Sequence, residues 1–501
     1  MKKSKKLTAI LSTAMACVCA FTCTACSNKS EPTPGQDVVL MTEGASYQVT
    51  KKGTPVAYTS HYFDVTGGKD VMPIGGFHGP FVSGGSNNGN DYPNKMEEEI
   101  VAALSECGIN VIVYSGSRQE HYPSAFEDLL KLGDKYGMGF YLNLLYLEQI
   151  IGGRSPAPAT INEAELYSRI LNASYGFKYD SLLGFQVIDE LFPTNQLKNA
   201  IKVADAINGM GLPIDLYSNA HGWYGTGYDW FGLANITYDE YVDEFSKMNL
   251  KVFSNTLYPY DSGNGPTDAD SHQALKENFV KLNHARKTSL EYDMAFWRMM
   301  QAGHQWEGLA ESVPYAPSEG EYLFDANMSL LFGAKGLQMY TCIQYPGEGT
   351  LPDGTYDSQR NGLIGTNGKK TQWWYYCKKL TTQVQAVDHI LMNSASMGFI
   401  PHGAEAKGLC EGIEGEDVIL SKFRQLKKID GDSCFVGCYD YLGGSAYFVT
   451  NASRNNKANV TLQFDGKYGY DVTQRGQTVS VVGTTMDLIL QPGEAVMVAL
   501  R

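Results

Sequence analysis

The sequence predicts an α/β protein, a (β/α)8 TIM barrel followed by a small antiparallel β-sandwich. Three observations predict this fold. Between residues 70 and 393, eight short apolar runs alternate with amphipathic stretches of helical period. A side chain that can hydrogen-bond ends each of those runs, as at the mouth of such a barrel. After residue 393 the helical period stops, and short apolar runs separated by Gly, Asn and Asp begin.

The composition is that of a globular protein that is not built to bind nucleic acid. Of the 501 residues, 43% are hydrophobic and 19% are charged, which is an ordinary balance. The formal net charge is −14, whereas a phosphate backbone is bound by clustered Lys and Arg. Aromatic residues make up 12% of the chain, and their flat, amphipathic rings suit sugars.

The first 26 residues have the pattern of a secretory signal. Four lysines within residues 2–6 precede an apolar run over 7–21, which is too short for a good membrane span. Small residues then precede Cys26, and a polar, Pro-containing tether covers 27–37. This pattern resembles a bacterial lipoprotein signal with Cys26 as the acylated residue, although Cys23 stands where such signals usually carry Leu. We expect an exported, extracytoplasmic protein that contacts the membrane only through this lipid anchor; a plain cleaved signal is the alternative.

The barrel is predicted over residues 70–393, after a stretch over 38–69 that also has the pattern of strands. Amphipathic helices separate the barrel strands; in 370–392, for example, apolar side chains recur at helical spacing. The sandwich is predicted over 394–501. The predicted barrel strands cover residues 70–77, 109–116, 137–145, 182–190, 212–219, 250–261, 293–301 and 336–342.

The polar residues at the strand ends form the candidate site. The carboxyl ends of all eight strands gather at one mouth of a barrel, where such folds hold their active sites. One carboxyl group, several amides and one His are among them. In strand order these residues are His78, Ser115, Asn143, Glu190, Asn219, Tyr258, Gln301 and Thr341.

Glu190 is the candidate proton donor. Side chains alternate along a strand, so Gln186, Ile188 and Glu190 share one face of the predicted fourth strand. That face is the better candidate for the barrel interior, because the outer face must pack apolar groups against helices. A carboxyl group at the mouth is partly desolvated, so its pKa should rise and it could give a proton to a departing oxygen. The alternative is an acidic cap of the next helix, a role that Asp189 could fill equally well.

Five short segments and the C-terminal sandwich carry a family resemblance. The segments are residues 184–190, 257–261, 295–297, 330–337 and 361–364. They resemble the retaining glycoside hydrolases of clan A, especially the β-galactosidase-like barrels, over most of residues 70–501. The resemblance implies hydrolysis of a β-linked oligo- or polysaccharide, with Glu190 as general acid/base. It also implies a second carboxylate, the nucleophile, at the end of the seventh strand.

The second carboxylate is missing from its implied position. The predicted seventh strand ends in Gln301, and an amide cannot form the usual glycosyl–enzyme ester. Asp189 also stands where clan A enzymes usually have Asn. Glu307, in the loop that follows, is the candidate second carboxylate, with a solvated loop acid as the alternative. Roughly 5–5.5 Å between the two carboxyl groups would support retention, and about 6.5–9.5 Å would support inversion.

Side chains that orient the sugar are predicted around the mouth. Neither a paired His after the first strand nor a zinc spacing of Cys and His occurs, so we predict no metal and no cofactor. The predicted substrate-binding residues are His78, Asn143, Asn219, His221, Trp223, Tyr258, Trp297, Gln301 and Trp306.

Two other functions remain open. A non-catalytic glycan-binding lipoprotein on a degenerate glycosidase barrel would account for the missing seventh-strand Glu. A solute-binding lipoprotein would need two doubly wound lobes, which the strand count and the terminal sandwich disfavour.

The cysteines beyond the signal are predicted to be structural. Their spacing matches no zinc site. Cys107, Cys342 and Cys377 lie on apolar stripes or runs and are expected to be buried. A disulfide among Cys410, Cys434 and Cys438 is left open.

Overall fold

The computed structural model describes most of the barrel and most of the sandwich. Two short hairpins are described by their backbone alone: Leu40–Met41 pairs with Tyr47–Gln48, and Ser86–Asn87 pairs with Asn90–Asp91. The predicted signal and tether lie outside the described residues. The other described ranges are 70–79, 98–114, 119–154, 156–222, 236–260, 268–303, 316–343, 356–357, 361–413 and 418–501.

Eight parallel strands form the barrel, which confirms the predicted fold class. They are β1 (Ile74–Phe77), β2 (Val111–Val113), β3 (Gly139–Asn143), β4 (Leu182–Gln186), β5 (Asp215–Tyr217 and Asn219–Ala220), β6 (Val252–Thr256), β7 (Ala295–Gln301) and β8 (Gly336–Tyr340). The two segments of β5 lie on either side of Ser218. The first segment pairs with β4 and the second with β6, so this strand changes partner and closes the ring.

Helices separate the strands and cover the outside of the barrel. Two of them begin with capping boxes, in which Thr237 and Glu240, or Ser318 and Glu321, satisfy each other's backbone N–H groups. The predicted helix over 370–392 is divided into two. No helix in the described part of the chain is both long and apolar enough to cross a membrane. The helices are α1 (Glu98–Cys107), α2 (Pro123–Tyr136), α3 (Leu145–Ile151), α4 (Glu163–Ala173), α5 (Asn195–Gly209), α6 (Tyr238–Ser246), α7 (Asp268–Glu291), α8 (Glu319–Leu331), α9 (Gln372–Gln385), α10 (Asp388–Met392) and α11 (Gly403–Leu409).

The barrel interior holds aromatic and polar side chains. The Tyr217 hydroxyl lies 2.6 Å from Gln338 Oε1 on β8, a strand that is not a neighbour of β5, so the contact crosses the interior. The Tyr217 ring centroid lies 5.4 Å from that of Tyr141 and 6.3 Å from that of Trp297. Because side chains alternate, residues two positions further along each strand face the same interior, closer to the mouth.

Strand β4 departs from regular pairing just before the candidate site. Its register with β3 shifts between Leu182 and Gly184, so Leu183 is the extra residue of a β-bulge. Gly184 then lies so close to β5 that a Cβ atom would be 1.7 Å from the Asp215 carbonyl oxygen. Only glycine fits this approach, and β4 and β5 are thereby held close together immediately below the mouth.

The C-terminal part is one antiparallel sheet folded into two layers, which matches the predicted sandwich. Its strands are β9 (Ser394–His402), β10 (Leu426–Gly431), β11 (Cys434–Tyr441), β12 (Gly444–Asn451), β13 (Ala458–Gln474), β14 (Gln477–Leu490) and β15 (Ala495–Leu500). The long strand β13 belongs to both layers, because its first half pairs with β10 and its second half with β15.

Alternation along β11 divides the side chains between two cores. Val436 and Cys438 pack inside the sandwich, whereas Phe435 and Tyr439 pack on the barrel. The Phe435 ring lies 5.3 Å from that of Phe279 on α7, and the Tyr439 hydroxyl donates to the backbone carbonyl at the end of α8.

All six described cysteines are free and buried. The expected burial of Cys107, Cys342 and Cys377 is therefore observed. The structure contains no disulfide among Cys410, Cys434 and Cys438.

Two buried cations join the barrel to the first strand of the sandwich. Lys335 donates to the carbonyls of Leu391 and Ser394, at 2.5 and 2.6 Å. Arg286 donates to the Phe332 carbonyl and to Ser396 Oγ, at 3.1 and 2.8 Å. Burial, together with the charge of Arg286, lowers the pKa of Lys335 to about 7.

This lowered pKa predicts that Lys335→Met changes how stability depends on pH. The pKa of Lys335 in the folded chain lies below its ordinary value of 10.5, so between about pH 7 and pH 10 the unfolded chain binds more protons at this site. The melting temperature of the unaltered protein should therefore rise relative to that of Lys335→Met from pH 6.5 to pH 9. Scanning fluorimetry of both proteins across this range measures the difference, and a constant difference would contradict the prediction.

Candidate active site at the barrel mouth

A turn directly after β4 presents Glu190. The sequence predicts extended strand as far as Glu190, but β4 ends at Gln186 and Glu190 has φ 47°. Residues 187–190 nevertheless continue alongside β5 through backbone hydrogen bonds. The Val187 N–H donates to the Tyr217 carbonyl at 2.7 Å, and the Glu190 N–H donates to the Asn219 carbonyl at 3.0 Å. The direction of the Glu190 side chain is therefore set by this turn and not by strand alternation.

The Glu190 carboxyl group lies at the mouth and is partly accessible, with 37% of the side chain exposed. Partial loss of solvent around this carboxyl group raises the pKa of Glu190 above the ordinary value of 4.5. His221 Nδ1 lies 3.7 Å from Glu190 Oε2, and the His221 ring hydrogen-bonds to the Glu190 backbone carbonyl. Burial lowers the pKa of His221 to about 4, so this imidazole is neutral at pH 7.

The predicted ligand His221 is thus built into the wall beneath Glu190. Its ring packs edge-on to Phe192, with centroids 5.4 Å apart, and its backbone N–H and C=O contact the hydroxyls of Tyr241 and Tyr238. This packing holds the His221 ring in place, and the ring in turn hydrogen-bonds to the Glu190 backbone carbonyl.

Asp189 is a second carboxyl group beside Glu190. Burial, and then the charge of Glu190, raises the pKa of Asp189 well above 3.8. Its side chain hydrogen-bonds to Asn219, and its Oδ1 has no hydrogen-bond partner among the residues the structure describes. Two neighbouring carboxyl groups that both resist ionisation are suited to holding and releasing a proton.

A cavity of about 340 Å³ opens at the ends of β3 and β4. Asn143 and Glu148 form one side, joined by a hydrogen bond of 2.8 Å. Gln186 and Asp189 form another side, and Gln186 Nε2 is a buried donor with no partner in the described ranges. A cavity of this size and polarity can hold a sugar ring.

An aromatic cluster lies at the ends of β1, β6 and β8. The ring centroid of Tyr340 lies 5.3 Å from that of His78 and 6.0 Å from that of Tyr258. The sequence predicts His78 and Tyr258 as site residues, but at the end of the eighth strand it indicates Thr341 and not Tyr340. Alternation from Gln338, which faces the interior, was the signal that could have identified Tyr340.

Two predicted ligands lie deeper in the barrel. Trp297 is buried against Gly336 and the Tyr217 ring, and it contributes to the barrel interior. Gln301 ends β7 opposite Tyr340, and its Oε1 has no hydrogen-bond partner within the described part of the chain. Strand β7 therefore carries an amide at the mouth, as the sequence indicates.

Five predicted functional residues lie outside the described residues: Ser115, Glu307, Trp223, Trp306 and Cys26. Among the described residues, no group of three or more His, Cys, Asp or Glu side chains could hold a metal ion.

The fold and the mouth together define a (β/α)8-barrel protein with paired carboxyl groups at the end of β4. Solved structures similar to this chain are glycoside hydrolases. A family 5 glycoside hydrolase from Bacteroides vulgatus has 12% identity and a TM-score of 0.45, with 86% of this chain and 89% of that chain covered. A GH27 β-L-arabinopyranosidase from Geobacillus stearothermophilus has 13% identity and a TM-score of 0.44, with 89% and 98% covered.

A third similar structure is larger. The β-glucuronidase of Ruminococcus gnavus has 10% identity and a TM-score of 0.40, with 62% of this chain and 50% of that chain covered. Neither a protein-family model nor a curated protein matches the chain.

Proposed function

We propose that the protein is a glycoside hydrolase that cleaves a β-linked glycan with Glu190 as general acid/base. The observation that carries this proposal is the partly exposed Glu190 carboxyl group at the barrel mouth, whose pKa is raised by burial. A raised pKa keeps more of this carboxyl group protonated near neutral pH, as a general acid requires.

In the proposed reaction Glu190 gives its proton to the glycosidic oxygen as the bond from that oxygen to the anomeric carbon breaks. A second carboxylate attacks the anomeric carbon, or it removes a proton from a water that attacks there. Glu307 is the candidate from the sequence. The rings of His78, Tyr258 and Tyr340 would pack against the sugar.

The proposed location is the outer side of the cell membrane. The basic and apolar N-terminal segment followed by Cys26 supports export with a lipid anchor. Anchoring would keep the released sugar near the cell. Fractionation and metabolic labelling with a fatty acid, compared between the unaltered chain and Cys26→Ser, test this part separately.

A screen for hydrolysis tests the proposed activity. The purified protein is incubated with aryl β-glycosides and with β-linked oligosaccharides, and the released phenol or reducing ends are measured. We expect release from at least one sugar series. NMR of the first product then gives the anomer, which distinguishes retention from inversion. No release from any series, with the protein folded, would contradict the proposal.

A second candidate function is a glycan-binding protein without catalysis. The amide of Gln301 at the end of β7 favours this candidate, because it cannot replace the carboxylate of a glycosyl–enzyme ester. Calorimetry with oligosaccharides distinguishes the two functions. A binding protein gives saturable binding without product, and this binding survives Glu190→Gln.

A further inference from the structure

We propose that Asn219 is a positioning residue that orients both carboxyl groups of the site, and that a hydrogen-bond chain through the barrel interior fixes its amide. The inference rests on the proposed function. The sequence suggested that Asn219 contacts the sugar, but this residue is 1% exposed and its side chain hydrogen-bonds to Ser254 and Thr256 of β6.

The series of hydrogen bonds that leads to Asn219 begins at Gln338 on β8, across the barrel interior from β5. The Tyr217 hydroxyl lies 2.6 Å from Gln338 Oε1 and 2.8 Å from Ser254 Oγ. Ser254 Oγ in turn donates to Asn219 Oδ1 at 2.9 Å. All four side chains are buried, so water does not compete for these groups.

The direction of these bonds decides how the Asn219 amide is turned. Ser254 has one hydroxyl proton, and Asn219 Oδ1 at 2.9 Å is a nearer acceptor for it than Gln338 Oε1 at 3.3 Å. The amide oxygen is thereby held toward the interior, and the amide nitrogen faces the mouth.

The amide nitrogen has two protons, and both have protein acceptors. One is donated to Thr256 Oγ1 at 2.6 Å, and the other to the Asp189 carboxyl group.

Thr256 lies between Asn219 and Glu190 and contacts both side chains. Its oxygen accepts from Asn219, so its single proton is available for donation, and the Thr256 hydroxyl hydrogen-bonds to the Glu190 carboxyl group. The sulfur of Met299, 3.9 Å away, is a much weaker acceptor than a carboxylate. Asn219 therefore controls Asp189 directly and Glu190 through Thr256.

This arrangement has a defined chemical effect. Burial favours the protonated form of each carboxyl group, whereas a donated hydrogen bond favours the ionised form. The Asn219 donors therefore make it possible for the carboxyl pair to lose a proton as well as hold one, which a general acid/base must do in turn.

Glu148 faces Asp189 across the cavity, and two other titratable side chains near Glu190, His221 and Tyr241, have pKa values displaced away from neutrality. His221 has a pKa of about 4, and burial keeps the pKa of Tyr241 well above 10. The charge of Arg154 contributes to the lowered pKa of His221. Asp189 and Glu190 both have raised pKa values, and as neighbouring carboxyl groups they titrate as a coupled pair.

The test compares Thr256→Val with Thr256→Ser. Val keeps the shape but removes the hydroxyl, whereas Ser keeps the hydroxyl. For Thr256→Val, the pH profile of kcat on an aryl glycoside should shift upward by about one pH unit, the scale of one lost hydrogen bond to a charged group. Thr256→Ser should return the profile to that of the unaltered protein. Superimposed profiles for Val and the unaltered protein, or a change confined to KM, would overturn the proposal.

A second measurement does not depend on turnover. Carbon-13 NMR follows the carboxyl carbons of Asp189 and Glu190 during a pH titration, with Glu190→Gln used for assignment. We expect higher apparent pKa values in Thr256→Val and, by the loss of amide orientation, in Ser254→Ala. Unchanged titration curves in both folded variants would refute the positioning role. If the protein hydrolyses nothing but the titrations shift, the proposed function fails and the positioning inference stands.

Discussion

Glu190→Gln is expected to lower kcat on natural β-linked glycans by about 10²–10⁴-fold, the usual contribution of a positioned general acid–base group. Gln has nearly the same shape as Glu but has no acidic proton to give. The glycosidic oxygen of a natural substrate is a poor leaving group, so it depends on that proton. Because the Glu190 backbone is held by Asn219 and His221, the substitution should leave the turn after β4 in place.

Substrates with different leaving groups distinguish a variant that cannot donate a proton from a variant that is not folded. A dinitrophenyl glycoside needs little protonation, so cleavage of its glycosidic bond should be far less affected than that of a natural glycan. Pre-steady-state release of the phenol measures this step. Glu165→Gln, an exposed change on α4, is the matched control and should retain full activity. Near-normal turnover of natural glycans by Glu190→Gln would remove Glu190 from the mechanism.

Local pattern and chain order were sufficient to predict the fold. Each barrel strand is a short apolar run between helical stretches, and this alternation has few solutions other than a closed barrel. The change of partner at Ser218 was not predictable, because it depends on how β5 meets both β4 and β6 when the ring closes. No residue in the sequence marks a partner change of this kind.

The site was predicted in part. Glu190 could be placed at the mouth because it follows an apolar run, although the turn after Gln186 made the strand-alternation argument inapplicable. Trp297 was predicted to orient the sugar, and the structure buries it in the barrel interior. It precedes Gln301 by four residues, which at roughly 3.3 Å per residue places it about 13 Å below the end of β7.

The long-range hydrogen bonds of the barrel interior could not be predicted from the sequence. The hydrogen bonds of Asn219 join it to residues 35 and 37 positions away, and Tyr217 reaches a residue 121 positions away. Such contacts arise only when the ring closes. A hydroxyl on an apolar strand, such as Ser254 or Thr256, gives no local sign of its partner.

Gly184→Ala should destabilise the protein by at least about 3 kcal/mol, the upper part of the range for overpacked sites. The new methyl group would lie 1.7 Å from the carbonyl oxygen of Asp215, which is backbone and cannot rotate away. Relief requires β4 and β5 to separate. The hydrogen bonds by which Val187 and Glu190 follow β5 would then be stretched or lost.

The expected result is therefore a loss of both stability and site geometry. Scanning calorimetry should show a melting temperature lower by several degrees, and activity should fall even at temperatures where the barrel remains folded. Gly209→Ala at the end of α5 is the matched control, because a Cβ atom there would have nothing within 4 Å. Alanine is also the better helix former, so this control should melt at the same or a slightly higher temperature. If Gly184→Ala melted like Gly209→Ala, the close approach of β4 and β5 would not be what holds the turn that carries Glu190.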